Sequence, residues 1–216
     1  MKVKLLTLAL GLVAFALSAR GATEPSLTKI VVQVVTPNMA GEPIAANPKT
    51  IYRGGEKYAR LEEKQDSLGG DQTLLVTSEP DSWVINLTQK TGRHIVDGGP
   101  KFTTSAPIFW SSSGQPEPDF LDLQFGNELQ FFSKDRALAL NPQTVDGKKC
   151  KALSIKTGPH EVILYLNPKT GKPLQVGLMK FGRLASTVKY LSYETNLPFK
   201  AALFKPPADI SLTKAE

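Results

Sequence analysis

Cysteine is nearly absent from this chain. Its 216 residues include one, Cys150. No internal disulfide can form, and no thiolate cluster can hold a metal. Histidine is almost as scarce, with only His94 and His160, two distant ligands that make a poor metal set without cysteine. No G-x-S-x-G elbow occurs, and the serine run at Ser111–Gly114 lacks the strand–turn–helix setting that such a nucleophile needs. Glycine-rich phosphate loops are missing too: Gly54-Gly55, Gly69-Gly70 and Gly98-Gly99 are isolated doublets. The basic residues are spread through strand-like text and form no stripe, so nucleic acid is not an expected partner. No cofactor motif is present, and no catalytic constellation stands out. A scattered Ser-His-Asp triad is not ruled out by counting, so an unrecognised hydrolase stays open.

One apolar run exists, and it is short. Met1-Lys2-Val3-Lys4 is basic, Leu5 to Leu17 is apolar, and small residues follow at Ser18, Ala19, Gly21 and Ala22. This is the pattern of a secretory signal peptide. We expect residues 1–21 to be removed, leaving one domain over residues 22–216, periplasmic or secreted. Cleavage after Ser18 fits nearly as well. Lys2, Lys4 and Arg20 leave with the signal, so the net charge falls from +6 to +3. The mature chain is expected to be a monomer.

The mature sequence is a series of short alternating runs separated by turn residues. The segments beginning at Thr28, Thr50, Gln72, Ser82, Ala152, Glu161 and Ser186 read as about eight to ten antiparallel strands. Gly54-Gly55 suits a tight hairpin. Cys150 opens one run and is expected to be buried or half-buried. From Pro116 to Asp135 the pattern changes: Leu121, Phe125, Leu129 and Phe132 fall near helical spacing, and Asp119 is placed to cap. Gly126 weakens that helix. One or two short helical turns covering the sheet are expected, preceded by an apolar loop carrying Phe109 and Trp110.

K-T-G occurs twice, at Lys90–Gly92 and Lys169–Gly171. It is one of three boxes in penicillin-binding and class A β-lactamase serine enzymes. The matching S-x-x-K texts at Ser26–Lys29 and Ser186–Lys189 lie in strand-like sequence, and no S-x-N occurs. Both copies sit between alternating apolar runs, so both are read as hairpin turns, with Gly92 or Gly171 at a positive φ.

The C-terminal third carries a resemblance. An apolar strand leads to a P-x-T-G-x-P turn at Pro168–Pro173, then a return strand, a V-x-Y-x-x-Y strand (Val188, Tyr190, Tyr193) and a closing A-L-F-x-x-P element (Ala202, Leu203, Phe204, Pro207). This text resembles the end of the LolA-like superfamily of periplasmic lipoprotein carriers and outer-membrane lipoprotein-sorting proteins. The segment from Lys49 to Glu63 is similar to an early strand pair of sorting-protein relatives. The resemblance implies a mainly β (α+β) fold, a curved antiparallel half-barrel sheet with one or few short covering helices. It implies an apolar cavity that accepts a lipid or a lipoprotein acyl chain without chemistry. Carriers use an arginine near the early strand to hold the lid, and Arg53 is the nearest counterpart. The chain differs from carriers in starting almost directly with a strand, and in following Arg53 with Gly54-Gly55.

Period-2 patterning then names candidate cavity residues: Trp83, Ile85 and Leu87 on one strand, Ile163 and Tyr165 on another, and Val176 and Leu178 on the return strand. For the second strand the opposite parity, Val162, Leu164 and Leu166, is equally open. Phe109 and Trp110 are candidates for a flap at the cavity mouth. If the core is filled instead, the chain reads as an envelope module that binds a protein partner through a surface patch or strand edge.

Overall fold

The computed structural model describes residues 25–37, 40–41, 43–63, 70–97, 106–111, 115–133 and 137–214. The segment 1–21, expected from its sequence pattern to be a leader, lies outside them. The strands, in chain order, are β1 (Leu27–Pro37), β2 (Pro43–Ala45), β3 (Lys49–Gly54), β4 (Tyr58–Glu63), β5 (Thr73–Ser78), β6 (Asp81–Asn86) and β7 (Thr91–Val96). A 3-10 turn (Pro118–Phe120) and the helix α1 (Glu128–Phe132) follow. Then come β8 (Leu138–Val145), β9 (Lys148–Thr157), β10 (His160–Leu166), β11 (Pro173–Lys180), β12 (Arg183–Leu197), a second 3-10 turn (Ala201–Phe204) and β13 (Ser211–Lys214).

All thirteen join one curved, unclosed sheet in the order β13-β7-β6-β5-β4-β3-β1-β12-β11-β10-β9-β8, with β2 paired to the far end of β1. Every pairing is antiparallel except β13 with β7. The expected half-barrel with a short helical cover is thus the architecture found. Tight turns join neighbours, as at Asp146-Gly147 between β8 and β9.

The two halves of the sheet are covered on opposite faces. Register carries one face from Ile30 across to Ile51, Leu61 and Leu75, and the other from Lys29 across to Tyr52, Arg60, Val76 and Trp83. On the first, or front, face Ile30, Val32, Ile51, Val162, Leu164, Val176, Leu178 and Val188 are buried under Ile108, Phe109, Phe120, Leu123, Phe125, Phe131 and Phe132. Each buried phenyl contributes about 1.5–3 kcal/mol. On the second, or back, face Leu74, Val76 and Ile85 form a smaller core with Trp83, Leu87 and Ile210. The chain leaving β12 crosses this back face to reach the far edge. Phe204 is buried there against Tyr58, 5.2 Å between ring centroids, and stacks on Phe199 at 5.4 Å. Arg60 Nη1 donates to the Leu203 carbonyl at 2.9 Å.

The cover on the front face is less helical than its spacing suggests. Gly126 takes φ +87° and stops any continuous helix. Leu121 and Leu129 consequently point outward, and Phe120, Leu123, Phe125, Phe131 and Phe132 are the buried side chains. Asp119 lies inside the first turn and caps nothing.

The two K-T-G segments also part company. Gly171 has φ +68°, as a bulged hairpin requires, but in the first copy Lys90 takes the positive φ of 54°. Gly92 lies within β7 for another reason. A Cβ there would stand 3.0 Å from Leu212 Cδ2, 3.1 Å from Ile85 Cγ1 and 3.1 Å from the Val84 carbonyl oxygen. Its missing side chain lets β13 dock. Gly92→Val is therefore expected to destabilise the protein by about 1–3 kcal/mol and to speed proteolysis within residues 208–214. An unchanged denaturation midpoint would show that β13 does not pack there.

Candidate functional site

Residues 106–111 and 115–133 form a cover that is tied to the front face at three places. The innermost tie is Glu128, which is 0 % exposed. Its Oε1 accepts from the Tyr190 hydroxyl at 2.8 Å and its Oε2 from the Tyr193 hydroxyl at 2.7 Å. The Gly126 N–H reaches both oxygens at 3.0 Å. Two tyrosines three positions apart on a regular strand would face opposite ways. Here β12 shifts register between Val31 and Val32 of β1, pairing Ile30 with Tyr193 and Val32 with Tyr190. The bulge brings both phenols to the front face. Burial pushes the Glu128 carboxyl above the usual range, and the bonds from Tyr193, Gly126 and Tyr190 pull it back in part. Burial and the adjacent carboxylate push both phenols up.

Arg53 makes the second tie. Its Nη1 donates to Gln124 Oε1 at 2.9 Å and to the Phe125 carbonyl at 3.1 Å. Burial lowers its pKa, opposed by Glu128. The third tie is polar and lies further along the cover. Lys180 Nζ sits 2.9 Å from Glu117 Oε2, His160 Nδ1 2.6 Å from Asp119 Oδ2, and His160 Nε2 3.6 Å from Glu117 Oε1.

Beside this third tie the cover and the sheet separate. A cleft of about 530 Å³ opens there, with Ile108, Phe109 and Trp110 on the cover side and Val34, Leu178 and Ala185 on the sheet side. Thr36, Ala46, Lys49, Lys180 and Ser186 complete its lining. Trp110 is 58 % exposed, whereas Phe109 is buried. The size falls within the range of small-ligand sites. A second cleft of about 500 Å³ surrounds Arg53 and is lined mostly by polar groups, among them Ser26, Thr28, Glu56, Asp122 and Gln130.

The candidate residues divide accordingly. Phe109, Trp110 and Leu178 line the apolar cleft. Val176 lies on the same face but is sealed in the core at 0 % exposure. Arg53 lies in the polar cleft and bonds the cover. Ile163 and Tyr165 are corrected: register places them opposite Gly177 and Gln175 on the back face, and the front face takes the other parity, Val162, Leu164 and Leu166. Trp83, Ile85 and Leu87 are also corrected. They belong to the back-face core under the C-terminal segment, away from the cover. Alternation identifies which residues share a face, but not which face a distant segment will cover. Glu128, which ties the cover to the sheet, is a residue that sequence reasoning misses, since no pattern marks an acid inside a helical turn as buried. The Y-x-x-Y spacing is the available signal, because it demands a bulge if both rings are to meet one partner.

Among the described residues neither histidine bonds a serine. His94 Nε2 lies 2.6 Å from Asp81 Oδ1, with Trp83 stacked at 5.2 Å, and His160 bonds carboxylates. Among the described residues no group of three His, Cys, Asp or Glu is placed to hold a metal ion. Cys150 is buried, its Sγ 3.3 Å from the Gln143 carbonyl.

No family model matches the sequence, and no curated protein matches it. Solved structures do. A conserved protein from Thermus thermophilus is similar over 88 % of this chain and 91 % of its own, with TM-score 0.50 and 13 % identity. What is shared is the fold. A chain of the Pseudomonas aeruginosa MucA/MucB complex matches with TM-score 0.44 and 15 % identity over 88 % of this chain, which spans 59 % of that one. An outer membrane lipoprotein-sorting protein domain from Vibrio parahaemolyticus matches with TM-score 0.36 and 11 % identity, over 82 % of this chain and 88 % of that one.

The Glu128 tie has a pH signature. Its folded pKa is raised, so its contribution to stability is full below the ordinary carboxylate range and is lost as pH rises through the raised value. The thermal midpoint is expected to fall over that window, and Glu128→Gln should flatten this part of the profile. Tyr193→Phe should cost about 1–3 kcal/mol, the penalty for leaving a buried Glu128 oxygen without its donor. A profile of the Glu128→Gln variant that runs parallel to wild type would contradict the assignment.

Proposed function

We propose that this is an exported cell-envelope protein that holds the apolar part of a lipid or lipoprotein acyl chain in the cleft between the cover and the front face, as a carrier or sensor without catalysis. The supporting observation is the cleft itself, apolar on both walls and open at the mouth where Trp110 is exposed. The sequence resemblance to lipoprotein carriers and the leader-like pattern at residues 1–21 point the same way. An acyl chain there would gain roughly 0.8 kcal/mol for each methylene removed from water.

A second reading is favoured by one observation. Most of the front face is a filled core, and the open space lies beside it, not through it. An envelope module with a filled core would bind a protein partner through its surface and take up no lipid.

The test is to purify the exported chain, extract it and look for acyl species by mass spectrometry, then measure uptake of a fluorescent fatty acid. A bound acyl species is expected. Trp110→Ala should weaken probe binding by about threefold to tenfold through lost apolar contact, and Trp83→Ala, in the back core, should leave it unchanged. Absence of both extracted lipid and probe uptake would favour the filled-core reading.

A further inference from the structure

The apolar cleft carries charge of one sign. Among its lining residues are two lysines, Lys49 on β3 and Lys180 at the end of β11, and no carboxylate. Each ammonium is met by one acid outside the lining: Lys49 by Glu63, and Lys180 by Glu117 at 2.9 Å. An ammonium has three donors. One is engaged in each case, and both side chains keep about a third of their surface exposed, 33 % for Lys49 and 35 % for Lys180. Donors therefore remain for a further acceptor. Thr36 and Ser186 add two hydroxyls to the same lining. A charged donor bonds an anionic oxygen more strongly than a neutral hydroxyl, so an anionic head returns more on these spare donors than an alcohol does.

We propose that the occupant of this cleft is an anionic amphiphile, its acyl chain between Phe109 and Leu178 and its negative head group held by Lys180 and Lys49. The proposal rests on the cleft reading above and adds the chemistry of the head group. The shared feature is a negatively charged oxygen head on a single long chain. A fatty-acid carboxylate and a lysophospholipid phosphate both supply it. Glu117 is 4 % exposed and bonds Lys180 from the buried side. It positions the ammonium and does not compete for the face that looks into the cleft.

Titration calorimetry on the mature chain with hexadecanoate, hexadecanoyl lysophosphatidate and 1-hexadecanol tests this. At least one of the two anions is expected to bind about tenfold tighter than the alcohol, and added salt should weaken anion binding alone. Lys180→Gln and Lys49→Gln should each weaken anion binding several-fold and hexadecanol binding by a much smaller factor. Glu117→Gln, which keeps both cations, should retain the anion preference. If Lys180→Gln fails to fold, Lys49→Gln and the salt series decide. Tight binding of only hexadecanoate or only lysophosphatidate supports the anionic head and identifies its source. Equal binding of alcohol and anions overturns the head-group assignment and leaves the cleft reading intact. Loss of hexadecanol binding in the lysine variants assigns the lysines to structure and also overturns it. Binding of none of the three overturns both readings.

Discussion

A single buried carboxylate fixes the relation between the two layers of this protein. Glu128 belongs to the cover, while Tyr190 and Tyr193 belong to the sheet, and their hydroxyls meet its two oxygens. If the cover moved away, a carboxylate taken out of water would lose its donors, and the phenols would lose their acceptor. Breaking one side of such a buried arrangement costs far more than the arrangement contributes when whole. The tie therefore acts as a specificity device: it sets where the cover sits. The phenylalanines beneath the cover supply the hydrophobic driving force, which alone would tolerate several positions.

The place of the cleft follows from that constraint and from the outer ties. Glu128 and Arg53 hold the cover near α1, where it is packed on the front face. At the other end it is held by charged side chains, Lys180 with Glu117 and His160 with Asp119. Such partly solvated pairs hold more weakly than a packed core. Beside the charged tie the loop carrying Phe109 and Trp110 leaves space above Leu178. On the back face Trp83 and Ile85 pack with Leu74, Val76 and Ile210, and Ile85 is fully buried.

Much of this was legible in the sequence. Alternation in Val162–Leu166 and the glycine turns gave the antiparallel sheet, and the carrier-like C-terminal text gave its curvature and cover. Phe109, Trp110 and Leu178, chosen for apolar character, come together at the cleft. Trp83, Ile85 and Leu87 alternate just as clearly and belong elsewhere. Their face is decided by where the tail after β12 crosses, a long-range event that leaves no mark on β6. The parity of β10 was open for the same reason. Gly92 looked like a turn glycine because it lies between alternating apolar runs, yet contact with Leu212 explains it. Local chemistry marks a turn, but it does not reveal a strand arriving from the far end of the chain.

Amide hydrogen exchange with and without a bound long-chain amphiphile addresses the central claim most directly. It reports which backbone segments are protected by an occupant. The account predicts slower exchange at Ile108–Trp110, around Val34 and along Leu178–Lys180, with no change across Trp83–Leu87. Protection centred on the β5–β6 hairpin, or binding with no protection of the Phe109 loop, would contradict it.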